Sequence, residues 1–186
     1  MINKQKMSIL GGGALATAIV DNLADKFDID VFDHDRFDIS SKEQCDSIAI
    51  NLSQYDIIII TSGKYDNDLW GMWLVNTIGP AYLISILDSM YVDKKIIAVT
   101  SHGASWTSWP DIDLNRLVYN SSKSGLTTFL HGLIHRDSSK NKISILEPSR
   151  FQSGMSNYTG SDINLVANQI KTIVNDAMHI IKIVCK

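Results

Sequence analysis

Tyr119 and Lys123 stand four residues apart in Tyr119-Asn-Ser-Ser-Lys123, near the start of an apolar, helix-periodic stretch that runs to about residue 133. On a helix this spacing puts both side chains on one face, one turn apart. A phenol titrates near pH ~10 and is a poor proton shuttle at neutrality. A neighbouring ammonium stabilises the phenolate and pulls that pKa down. Such a pair gives or takes a proton at a carbonyl or alcohol oxygen. The same spacing also arises by chance, as a surface tyrosine and a solvated lysine, so its meaning rests on the elements around it.

The chain opens with an apolar run at residues 7–10, then Gly11-Gly12-Gly13, then apolar residues at helical spacing over 14–24. A second apolar run, 29–32, ends in Asp33. Strand, glycine turn, helix and strand make a βαβ unit. Gly11-x-Gly13-x-x-Ala16 fits G-x-G-x-x-G/A, in which the first glycine allows the tight turn. The second lets the backbone approach a pyrophosphate, and the third small residue lets helix and strand pack closely. The helix N-terminus offers unpaired N–H groups to phosphates. Asp33 follows Gly11 by 22 residues, close to the ~20 expected of an acid that accepts from ribose hydroxyls. A carboxylate there repels a 2′-phosphate and favours NAD over NADP. His34 and Arg36 nearby keep NADP possible.

Only four residues separate Asp33 from Asp38-Ile39-Ser40, too few for a crossover helix. Any third strand must therefore be short or reached by an irregular loop. Residues 41–52 read as a helix with Ser40 or Ser41 as N-cap. Asp56-Ile-Ile-Ile-Ile-Thr61 is a strand buried on both faces, ended by Ser62-Gly63. A long apolar helix over 67–90, a strand at 95–99, the Tyr119 helix, a strand at 143–146, a helix over 162–178 and a weak strand at 179–185 complete the alternation. The pattern predicts an α/β fold, a doubly wound parallel sheet in a single three-layer domain over 1–186.

Composition sets limits on function. Hydrophobic residues make up 45% and charged residues 20%, with a formal net charge of −3 and no Lys/Arg cluster, which argues against nucleic acid and anionic membranes as partners. The longest purely aliphatic run, 57–60, is too short to span a bilayer. Cys45 and Cys185 are far apart and read as free thiols of a reducing compartment, so a cytoplasmic location is expected.

Taken together, these residues resemble the short-chain dehydrogenase/reductase family over nearly the whole chain. Asp56 to Gly63 is similar to the family's D-x-x-x-N-N-A-G strand. Val75-Asn76-Thr-Ile-Gly79-Pro80 is similar to V-N-x-x-G-P, and Ile96 to Ser101 to the strand that ends in the active-site serine. Tyr119 and Lys123 match Y-x-x-x-K, and Pro148-Ser-Arg-Phe-Gln-Ser153-Gly-Met155 resembles P-G-x-V-x-T-x-M. The Gly-Gly-Gly-Ala-Leu-Ala turn looks more like that of dihydropteridine reductases. The link from Asp33 to Asp38-Ile39 looks like that of dTDP-4-dehydrorhamnose reductases.

The resemblance implies a Rossmann-type fold and hydride transfer between a nicotinamide cofactor and a small carbonyl or alcohol, with Asn76, Ser101, Tyr119 and Lys123 as the catalytic tetrad. Tyr119 is then the acid–base, and Lys123 lowers its pKa and holds the nicotinamide ribose. Ser101 bonds the reacting oxygen, and Asn76 holds a helix irregularity and a relay water. The implied cofactor-binding residues are Gly11, Gly13, Ala14, Leu15, Asp33, Asp38, Ile39, Ser62, Gly63, Tyr119, Lys123, Pro148 and Ser153, with no metal.

Several departures qualify this picture. The two N-N asparagines are replaced by Ile60 and Thr61, so a hydrogen bond is expected to be lost there. Ser101 lies 18 residues before Tyr119, further than is usual in the family, and Ser105 or Thr107 are alternatives. The lid region after Met155 is brief. These departures leave a second reading, a sensor or scaffold that binds NAD without turning it over. A homodimer or homotetramer is expected through the 67–90 and 117–133 helices, with Leu69, Trp73, Tyr82, Ile86, Leu126, Phe129 and Leu130 as interface candidates.

Overall fold

The computed structural model describes residues 4–102, 113–136, 139–157, 159–175 and 183–185. Among these residues six parallel strands form one sheet: β1 (Gln5–Leu10), β2 (Phe27–Phe32), β3 (Ile57–Ile60), β4 (Lys95–Val99), β5 (Lys142–Pro148) and β6 (Ile183–Cys185), in the order β2-β1-β3-β4-β5-β6. Parallel strands need crossovers, and the helices that supply them cover both faces. Alternate strand residues therefore enter two separate cores. Ile58, Ile60, Ile96, Ala98, Ile143 and Ile145 pack beneath α2 (Lys42–Asn51), α4 (Gly79–Met90) and α5 (Leu114–Ile134). Met7, Ile9, Ile57, Ile59, Ile97, Val99 and Leu146 pack beneath α1 (Ala14–Leu23) and α6 (Ile163–Asn175). The expected doubly wound three-layer sandwich is the observed one.

The short link after Asp33 forms turns rather than a strand, which leaves β2 at the sheet edge among the described residues. Phe37 and Ile39 still reach the core, so the loop is tied down although it pairs with no strand. One tie is a close approach: a Cβ on Gly79 would stand 2.0 Å from the Ile39 carbonyl oxygen. Only glycine at the start of α4 lets the Asp38-Ile39 loop lie there.

The expected 67–90 helix is interrupted. A short α3 (Leu69–Trp73) passes into a π-helical turn over Leu74–Ile78 before α4 begins. By length and composition Leu69–Met90 is apolar enough to cross a membrane. In this fold it lies on the sheet and buries Leu83, Ile84 and Leu87. α5 begins three residues earlier than expected, capped by Asp113, whose carboxylate accepts from the Arg116 N–H at 2.7 Å.

Three interface candidates are corrected. Leu126 and Leu130 are fully buried against the sheet, because they occupy the same helix stripe as Leu133. Tyr82 turns toward α2, where its hydroxyl donates to Asp46 at 2.6 Å.

Candidate active site

The C-terminal ends of the strands open into a cleft of two chambers. The first, about 820 Å³, is lined by Gly11, Gly13, Ala14, Leu15, Asp33, Asp38, Ile39, Ser62, Gly63 and Ser153. It lies where the chain order reverses between β1 and β3, which is where open α/β sheets bind ligands. Gly11 has φ +123°, and a Cβ there would meet Thr61 Oγ1 at 2.7 Å and Ser62 N at 2.8 Å. At Gly13 a Cβ would meet nothing within 4 Å, so the backbone at the start of α1 faces open space. Among the described residues no side chain caps that helix, which leaves its first N–H groups available to an anion.

The expected loss of a hydrogen bond beside the glycine turn does not occur. The Thr61 hydroxyl donates toward the Gly11 carbonyl at 3.1 Å, with the Leu10 carbonyl at 3.3 Å, so threonine takes over the tethering. Asp38 accepts from the Ser40 N–H and hydroxyl at 2.9 and 2.7 Å. Asp33 accepts from the Arg36 N–H at 3.2 Å. The Arg36 guanidinium folds back over the Phe32 ring, 4.7 Å from its centroid, and donates to the Val31 carbonyl at 2.6 Å. Arg36 does not line the chamber, whereas Asp33, Asp35, Asp38 and Asp66 do, beside His34 and Lys64.

The second chamber, about 720 Å³, is lined by Ser101, Tyr119 and Pro148, and it shares Phe151, Ser153 and Met155 with the first. Pro148, expected at the cofactor, ends β5 and lines this chamber. Tyr119 is half-buried, edge-on to the Tyr65 ring with centroids 5.4 Å apart. Its pKa is raised above 10.0 by burial, opposed by a hydrogen bond with Ser101 and by the Arg116 charge. The expected lowering by Lys123 is therefore not found: desolvation of the phenolate prevails, and the cation that opposes it is Arg116. Ser101, despite its long spacing, does reach Tyr119. Ser105 and Thr107, and Trp106 and Trp109 beside them, lie outside the described residues.

Lys123 is buried, with its Nζ donating to the Ser62 carbonyl at 3.1 Å and the Val99 carbonyl at 3.3 Å. Burial lowers its pKa to about 8. The two carbonyls leave one of its three ammonium hydrogens over. Asn76 sits in the π turn, fully buried. Its Oδ1 accepts from the Lys64 N–H at 2.8 Å, and its Nδ2 donates to the Lys64 carbonyl at 2.9 Å and to Ser122 Oγ at 3.0 Å. Ser122 in turn donates to the Tyr119 carbonyl at 2.7 Å. The extra residue of the π turn thus aims an amide that clamps the loop after β3 to the Tyr119 helix.

Sequence reasoning did not single out Tyr65, Arg116 or Arg150, all of which line the second chamber. A legible signal existed for Arg116, which stands three residues before Tyr119 and so shares its helix face.

No family model matches the chain, and no curated protein sequence matches it. Solved structures do. A short-chain dehydrogenase from Burkholderia cenocepacia, in complex with NADP, superposes with a TM-score of 0.79 at 13% identity, covering 98% of this chain and 89% of that one. The fold is that of the short-chain dehydrogenase/reductases. An alcohol dehydrogenase from the archaeon Thermococcus sibiricus, complexed with 5-hydroxy-NADP, gives 0.78 at 14% identity, covering 98% and 96%. A short-chain dehydrogenase from Streptomyces avermitilis gives 0.74 at 12% identity, covering 99% and 89%.

Proposed function

We propose that this chain is an oxidoreductase that binds a nicotinamide cofactor in the first chamber and a small carbonyl or alcohol in the second. The observation that carries the reading is the hydrogen-bonded Tyr119–Ser101 pair in a chamber that shares three wall residues with the glycine-turn cleft. The first chamber suits a dinucleotide: the open α1 N-terminus takes the pyrophosphate, and Asp33 takes ribose hydroxyls. The Ser62 hydroxyl, buried without a partner among the described residues, offers one more contact there. The acidic wall and the turned-away Arg36 favour NAD(H) over NADP(H), although similar structures hold NADP. A 2′-phosphate would meet carboxylates with no guanidinium aimed at it.

The cofactor supplies hydride transfer at the substrate carbon. Tyr119, kept protonated by burial, gives its proton to the carbonyl oxygen as negative charge develops there. Ser101 donates a hydrogen bond at the same oxygen. Arg116 stabilises the phenolate left behind. Lys123 holds the carbonyls of Ser62 and Val99 and turns its remaining hydrogen to the nicotinamide ribose. Asn76 acts through position, fixing the loop and helix that carry these groups.

The subunits associate through what stays exposed on the α3–α5 side, where Trp70 is 67% and Ile78 46% exposed. Sedimentation yielding only a 20.7 kDa species would refute that association. The enzymatic reading is tested by following NADH absorbance with a panel of small aldehydes and ketones. Substrate-dependent loss supports it, and binding without loss would identify the sensor instead.

A further inference from the structure

Charge divides the cleft. Four aspartates line the first chamber, but the second has no aspartate or glutamate among its described lining residues and contains Arg116, Arg150 and His102. A reaction chamber for a neutral ketone needs no cation beyond the one that steadies the phenolate, and Arg150 is then left over. Among the described lining residues the full charges are of one sign, and a wall of one sign attracts anions.

We infer that the substrate carries an anionic group, carboxylate or phosphate, next to its carbonyl, and that Arg116 and Arg150 hold it; this rests on the oxidoreductase reading above. Both arginines are placed by rigid parts of the fold. Arg116 lies in the first turn of α5, one turn before Tyr119. Its charge is close enough to act on the phenol, so an anion on Arg116 brings an adjacent carbonyl to Tyr119. Arg150 follows β5 directly. Its Nη2 donates to the Ser156 carbonyl at 3.2 Å, and its own carbonyl accepts from the Ser161 N–H at 2.9 Å. That closure pins the segment before substrate arrives and leaves further guanidinium hydrogens for an anion. Guanidinium is the side chain best matched to both anions, since its fork bonds two oxygens at once.

The test uses matched pairs with NADH: 2-oxobutanoate against its methyl ester, and dihydroxyacetone phosphate against dihydroxyacetone. Kcat/KM for the charged member is divided by that for the neutral one, and the ratio is compared between wild type and Arg116→Gln, which cancels intrinsic reactivity. One pair or the other is expected to lose on the order of tenfold to a hundredfold of this ratio in the variant, and which pair does so identifies carboxylate or phosphate. Arg116→Lys should recover part of the loss, and Arg150→Gln should act in the same direction. Ratios that stay unchanged in both variants overturn the inference and leave the oxidoreductase reading standing. If no carbonyl consumes NADH, that reading fails and binding decides this one. Succinate and inorganic phosphate are then titrated calorimetrically into wild type and both glutamine variants. Heat with wild type that disappears in the variants supports the anion site, and no heat with wild type, or equal heat in all three, overturns it.

Discussion

The two chambers are built differently. The first is largely backbone and small side chains: a glycine turn, a helix N-terminus, and carbonyls held in place by Thr61 and Lys123. The second is made of side chains from separate elements, with Ser101 after β4, Arg116 and Tyr119 on α5, and Arg150 after β5. Backbone serves a large ligand with repeated polar groups, because N–H groups and dipoles do not depend on side-chain identity. Side chains serve a small, variable ligand, and they carry the proton chemistry. Among the described residues, aspartates line the first chamber and arginines the second.

The sharpest break between the chambers is Tyr119→Phe. We expect kcat to fall about 10²–10⁴-fold while NADH affinity, measured by calorimetry, stays at the wild-type value. A variant that keeps more than about a third of kcat would remove Tyr119 as the acid–base.

Lys123 lies buried against the Ser62 and Val99 carbonyls, and its pH dependence follows from burial. Its folded pKa is about 8 against an ordinary 10.5. Across that window the folded chain has released a proton that the unfolded chain still holds, so stability rises with pH. The gain is roughly 3 kcal/mol by about pH 10.5. Denaturant titrations at pH 7 and 10 should show a rise in wild type that Lys123→Met lacks. Parallel pH profiles in the two proteins would mean that Lys123 is hydrated.

Gly79→Ala tests the first chamber alone. The new Cβ would push the Ile39 carbonyl away, costing about 1–3 kcal/mol and weakening NADH binding through Asp38. The charged-to-neutral substrate ratio should not move. The smallest expected effect is Asp33→Ala, which should narrow the preference for NADH over NADPH by about tenfold, a ribose-acceptor bond being worth ~1–2 kcal/mol. Tighter binding of NADPH than NADH by wild type would contradict the acidic-wall argument.

Most of the first chamber was legible because its parts are contiguous: Gly11, Gly13 and Ala14 follow β1 directly, and Asp33 ends the next strand. The second was only partly legible. Tyr119 and Lys123 announce themselves by spacing, but Arg150 and Ser101 meet only through the β4–β5 pairing, which no local pattern encodes. The π turn does not show in periodicity, because residues 67–90 are apolar on most sides and a one-residue shift of phase is lost among them; the helix irregularity at Asn76 was expected only through the family resemblance. The pKa of Tyr119 was misjudged because residue spacing gives neighbours but not desolvation, and desolvation prevails.

The most direct test of the division of labour is a crystal structure of the chain with NADH. The account predicts the adenosine end at Asp33 and Asp38, the pyrophosphate on the N-terminus of α1, and the nicotinamide against Ser153 and Met155, its reactive face toward Tyr119. A cofactor bound in the reverse direction, or its ring lodged away from the Tyr119 chamber, would contradict it.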